Sequence, residues 1–152
     1  MKRQFKTLPF LFIGLIAIGI TTLLFFLFNS PQHQAREVVE EFYTYEQEGD
    51  FSSSWQLLHP QMKDRFSKGH YIQDRAHVFM NHFGVTTFSY NVKDAEKLKD
   101  WKMEEDSEAI EEVFSMTVVQ TFKGKYGRFD IYQSVFVAEE EGDWLIMWDY
   151  NK

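Results

Sequence analysis

The sequence contains no cysteine. Disulfide staples, thiolate nucleophiles and zinc sites built on thiolates are therefore excluded, and a packed apolar core has to hold any fold. Proline and glycine are sparse, three and eight in 152 residues, which excludes collagen-like and low-complexity chains. Basic charge is also scarce, with sixteen Lys and Arg against 23 Asp and Glu. That shortage is uneven. Leu8 to Phe28 carries no charge and Lys2, Arg3 and Lys6 precede it, so the rest of the chain has 13 − 23 = −10. A surface of that sign repels nucleic acid, and no nucleic-acid partner is expected.

The uncharged run is 21 residues long. At about 1.5 Å per residue it reaches roughly 31 Å as a helix, the thickness of a bilayer's hydrocarbon core. Pro9 falls in the first turn, where a missing N–H is harmless. The run exceeds the apolar core of a signal peptide and lacks small residues in an A-x-A arrangement at its end, so it reads as an uncleaved anchor. The three basic residues before it place the N-terminus in the cytoplasm. The expected organisation is a cytoplasmic tip over 1–7, a transmembrane anchor over 8–28, a linker over 29–34 and an extracytoplasmic domain over 35–152. A single-pass protein of the cell membrane follows.

Beyond the anchor, Ala35 to Glu48 has a helical period, with Val38, Val39, Phe42 and Tyr45 on one face, and Gly49 closes it. Ser52, Ser53 or Ser54 is expected to cap a second helix carrying Trp55, Leu57 and Leu58, which Pro60 ends. A third stretch runs from Gln61 toward His82, with Gly69 as a break. Past Gly84 the period shifts toward two and β-branched and aromatic residues dominate. Strands are expected over Val85 to Val92, around Leu98 to Met103, over Ile110 to Phe122, Phe129 to Ala138 and Trp144 to Tyr150. In the third of these, Phe114, Met116, Val118, Gln120 and Phe122 share a face. The fold class is α+β, with the anchor followed by a cone-like domain of about three helices packed on a curved antiparallel sheet.

The opening helix followed by Gly49-Asp50-Phe51-Ser52-Ser53-Ser54-Trp55-Gln56-Leu57-Leu58, and the ending Gly142-Asp143-Trp144-Leu145-Ile146-Met147-Trp148-Asp149, resemble the nuclear-transport-factor-2-like superfamily. The likeness is to the membrane-proximal N-terminal domain of low-affinity penicillin-binding proteins and covers about residues 35 to 150. It implies a cone-shaped domain acting as a scaffold of the bacterial envelope. The chain ends at Lys152, so no transpeptidase domain is expected to follow. Other members of the superfamily are isomerases, and fold alone does not choose between such roles.

Few residues offer chemistry. Asp149 beside Tyr150, and Asp130 near Tyr132, are the strand carboxylates that an isomerase-like site would need as base with a hydrogen-bond donor. Solvated strand acids are the plainer reading. Trp55, Tyr132, Trp148 and Tyr150 are candidate contacts for a ligand or partner, with core filling as the alternative. Lys123, Lys125 and Arg128 make a basic hairpin turn in an acidic domain, suited to a phosphate-bearing wall polymer or an acidic partner face. His59, His70, His77 and His82 lack metal-ligand spacing, and the acidic run from Glu104 to Glu112 lacks the Ca²⁺-loop pattern. No metal and no cofactor is expected. The functional expectation is a non-catalytic envelope module that binds another envelope protein or a wall precursor. Its alternatives are a carrier or isomerase using the cone cavity, and an oligomerising subunit of a secretion or conjugation channel.

Overall fold

The computed structural model describes residues 8–28, 30–77, 87–124 and 127–151, and within the first helix the side chains of residues 12–25. The chain divides into two compact units, residues 1–34 and 35–152. The first holds helix α1 (Leu8–Phe28). Its described side chains are apolar on every side and open, from Leu24 at 45% to Phe12 at 68% exposed. Thr21 and Thr22 bond back to the carbonyls of Ala17 and Ile18, so neither hydroxyl is left without an acceptor. Among the described residues no helix is long and apolar enough to cross a membrane. The side chains described in α1 cover about 21 Å of rise, short of the roughly 30 Å that a span requires.

Helix α2 (Pro31–Glu48) begins earlier than expected. Ser30 accepts the N–H of His33 through both its carbonyl and its hydroxyl, and Pro31 occupies the first position, where its ring is preset for a helix. At the far end Asp50 N–H reaches Tyr45 O and Gly49 N–H reaches Glu46 O, while Gly49 sits at φ 77°. That pair of bonds is the Schellman closure, and it needs a residue free of Cβ strain at Gly49.

The next helices correct three expectations. Asp50, not a serine, caps α3 (Phe51–Gln56), because its carboxylate accepts Ser53 N–H at 3.1 Å. Pro60 starts a helix instead of ending one. It occupies the first turn of α4 (Pro60–Arg65), whose cap is His59 Nδ1 accepting Gln61 N–H. The break in the third stretch falls at Phe66 and Ser67, and Gly69 lies inside α5 (Lys68–His77). The unit therefore holds four described helices, not three. The expected continuation through Phe79, Met80 and His82, and the strand start at Val85, lie outside the described residues.

Among the described residues five antiparallel strands form a curled half-barrel sheet: β1 (Phe88–Val92), β2 (Glu96–Trp101), β3 (Ile110–Gly124), β4 (Gly127–Glu140) and β5 (Asp143–Met147). β1 and β2 lie end to end along one edge of β3, and β4 and β5 follow on its other side. Val92 faces Val118 and Glu96 faces Ser115, so four steps on the edge meet three on β3. The extra residue is a bulge, and it bends the sheet. Glu141 and Gly142 both adopt positive φ in the two-residue turn from β4 to β5, the combination that follows strand twist. β2 begins earlier than the sequence implied, and β5 ends at Met147, so Trp148 and Tyr150 lie past the strand.

The expected inward face of β3 holds: Phe114, Met116, Val118, Gln120 and Phe122 are all buried. Ala35, Val38, Val39, Phe42 and Tyr43 of α2 are buried with them, each burial contributing about 1–3 kcal/mol. Arg36 and Gln47 side chains reach the carbonyls of Val92 and Phe88 and tie α2 to β1. Leu57, Leu58 and His59 dock on β5 by the bonds Ile146 N–H to Leu57 O and His59 N–H to Ile146 O. β4 is covered on both faces from Val135 to Ala138, where Trp101 stacks on Phe136, but its outward residues from Arg128 to Ser134 are exposed.

Candidate functional site

A polar cluster sits among the apolar rings of residues 35–152. Glu46 lies four residues past Phe42 and three past Tyr43, on the buried stripe of α2, and its side chain is 0% exposed. Its Oε1 accepts the Ser54 hydroxyl at 2.6 Å and the Tyr71 hydroxyl at 2.7 Å. Its Oε2 accepts the Arg75 Nε–H at 2.6 Å and also pairs with the Arg75 terminal nitrogen. Three helices thus converge on one carboxylate. Tyr71 and Arg75 stand one turn apart on α5, and Ser54 comes from α3.

The electrostatics follow from the packing. Burial, the largest single influence, weakens the charge on Arg75, but Glu46 together with Tyr71 and Tyr43 outweighs it and the pKa is raised. Burial raises the Tyr71 hydroxyl well above its ordinary range, with Glu46 adding to it. Burial also raises Tyr43, against the opposing pull of Arg75. Both phenols stay neutral donors: Tyr71 to Glu46, and Tyr43 to Gln133 Oε1 at 2.9 Å. A general base needs a free lone pair within reach of a substrate proton. Both oxygens of Glu46 already accept hydrogen bonds, and the cluster is built to hold an ion pair.

The expected binding residues separate into two groups. Trp55 donates its indole N–H to Phe66 O at 2.9 Å, and the Phe66 ring lies 6.4 Å from Trp148 and 6.5 Å from Tyr150. Phe66 therefore gathers three of the four aromatic candidates, while the Arg65 guanidinium lies 3.9 Å over Tyr150. Trp148 also packs on Phe42, and its buried Nε1 lies against the Tyr43 hydroxyl without closing a well-formed hydrogen bond. The second group is the outer face of the β3–β4 hairpin. There Tyr132 is 69% exposed, and Lys123 faces Arg128 across the strands. Lys125 lies outside the described residues.

Both candidate catalytic acids hold local hydrogen bonds. Asp149 is exposed and accepts the backbone and side-chain N–H groups of Asn151 at 2.8 and 2.7 Å. Asp130 accepts the Thr121 hydroxyl at 2.6 Å and lies 3.8 Å from Arg128. Among the described residues no three His, Asp or Glu side chains are grouped to hold a metal ion. The sequence reading missed Glu46, Tyr71 and Arg75. The 3-and-4 spacing that placed Phe42 on the buried face also places Glu46 there, and this was the available signal. No protein-family model matches the chain, and no curated protein matches it.

Proposed function

We propose that this chain is a membrane-anchored, extracytoplasmic binding module of the bacterial envelope, without catalytic activity of its own. Support for the anchor comes from α1, a 21-residue helix without a charged residue whose two hydroxyls bond within the helix. A helix apolar on every side has no preferred face for a protein core and suits lipid, where its backbone groups must all be bonded internally. Lys2, Arg3 and Lys6 before it favour a cytoplasmic N-terminus.

The observation that carries the non-catalytic reading is the state of the carboxylates. The buried one, Glu46, is fully bonded, and Asp130 and Asp149 hold local hydrogen bonds at the surface. Assembly through the open β2 edge is disfavoured. Two copies of β2 related by a two-fold axis meet with lysines opposed, Lys97 on Lys99 or each on itself, and like charges across strands destabilise. The test is crosslinking of the full-length protein in cells, then purification in detergent and mass spectrometry of what stays attached. One stoichiometric envelope protein or wall precursor supports the reading, and a solitary monomer counts against it.

A small-molecule carrier is the second reading, favoured by one observation: the buried Trp148 indole N–H faces only the Tyr43 hydroxyl and closes no well-formed hydrogen bond. A buried donor of this kind costs about 1–3 kcal/mol unless a ligand or water accepts from it. Changing Trp148 to Phe tests this. A carrier loses its ligand, whereas a scaffold keeps its partner.

A further inference from the structure

We infer that the uncovered outer face of the β3–β4 hairpin binds a phosphate-bearing glycan, with a sugar ring stacked on Tyr132 and a phosphodiester held between Lys123 and Arg128. This rests on the binding-module reading above and supplies its ligand class. Strand alternation puts these three side chains on one face, because Lys123 pairs with Arg128 and Tyr132 lies four residues along β4. The Cβ atoms of directly opposed residues are about 5 Å apart, close enough for two cations to share one phosphodiester. Charge complementarity selects the anion. The domain carries −10 beyond the anchor, yet this end presents two cations of which Arg128 is 67% exposed. Asp130 answers them only in part, since it is held by Thr121 and stands 3.8 Å from Arg128.

The rest of the face suits sugars. Tyr132 presents an open ring, and a pyranose buries its apolar C–H face on such a ring while its hydroxyls remain free to bond. The neighbouring register pair, Thr117 with Ser134, offers hydroxyls that donate and accept equally. Along the strands the cation pair lies about 14 Å from Tyr132, a distance of two to three sugar or polyol units. An exposed apolar face would instead point to a protein partner, but here Tyr132 and the opposed Val119 stand among hydroxyls, a carboxylate and cations.

The test uses the full-length protein in detergent and titrates it with purified phosphomannan and with the same mannan after its phosphate is removed. Phosphomannan is expected to bind, and more weakly as salt rises. The Tyr132→Ala variant is expected to weaken both polymers about tenfold, as loss of a central aromatic anchor does. Joint Lys123→Gln and Arg128→Gln changes are expected to abolish the preference for the phosphorylated polymer. All three side chains are exposed, so melting temperatures should match the parent and misfolding cannot imitate these outcomes. Absence of phosphomannan binding overturns the inference, as does a Tyr132→Ala protein that binds like the parent. If crosslinking still captures an envelope protein in that event, the glycan is wrong and the binding module stands. If nothing is captured either, both fall.

Discussion

Glu46 and Asp130 each accept a hydroxyl hydrogen bond of 2.6 Å, from Ser54 and Thr121 respectively, and each lies beside an arginine. The two sites nevertheless do different things. Glu46 has no solvent exposure and its partner Arg75 keeps 21%, so each is the other's replacement for water. Asp130 keeps 32% and Arg128 67%, at a separation that solvent screens. The same residue types build a clamp inside the domain and leave reactive surface at the hairpin tip. Burial, not the inventory of hydrogen bonds, separates a structural ion pair from charges free to meet a ligand.

The contrast breaks first at Glu46. Replacing it with Ala leaves the Arg75 charge in the interior without its partner, and the expected loss is about 3–5 kcal/mol, read from urea unfolding. The double change Glu46→Leu with Arg75→Met should recover most of that loss, because the charge to be buried is gone. If the single variant unfolds like the parent, the interior and surface pairs are equivalent after all. Next comes Gly49, where Ala would have to hold φ 77°, and a loss of about 1–2 kcal/mol is expected by the same measurement.

A third change sharpens the comparison by pH. His59 is 4% exposed, its Nδ1 accepts Gln61 N–H, and its Nε2 lies 3.5 Å from Glu140. Nε2 thus faces the Glu140 carboxylate at the long limit of hydrogen bonding. Burial lowers its pKa, and Glu140 opposes the shift without cancelling it. The folded state therefore favours the neutral ring, and the unfolded chain binds the proton more readily. Stability should be intact above the ordinary histidine value of about 6.5 and fall as the pH drops through it. Thermal melts from pH 8 to pH 5 measure this slope, and a His59→Gln protein should show less of it. The smallest effect is expected at the tip, where Tyr132→Ala should shift stability by no more than about 0.5 kcal/mol.

Much of the fold was legible because it rests on period. The alternation of Phe114, Met116, Val118, Gln120 and Phe122 needed no knowledge of neighbours, since a strand with one buried face admits no other pattern. Gly49 was legible because few residues tolerate its backbone conformation. Pro60 was misread because proline ends one helix and begins the next by the same property, a missing N–H. Only the docking of Leu57 to His59 on β5 decides which applies.

The site was less legible. Trp55, Trp148 and Tyr150 were singled out as large aromatics, yet what joins them is Phe66, a residue with no distinguishing mark in the sequence. Glu46 is a charge at an apolar position of the helical period, but its partners come from 8, 25 and 29 residues further along the chain. Spacing cannot pair residues on different helices.

By itself the sequence determined what local physics compels: an uncharged 21-residue helix, an acidic remainder without cysteine, an amphipathic α2 closed by Gly49, and strands with one buried face. Those features depend on a residue and its near neighbours, within a turn or a pleat. The tertiary structure decided the rest. It chose which edge of β3 carries two strands, where one extra residue bends the sheet, and which carboxylate is sealed against an arginine while another stays in water. The free energy of a charge is set by what surrounds it in space, and the order of the chain does not state that.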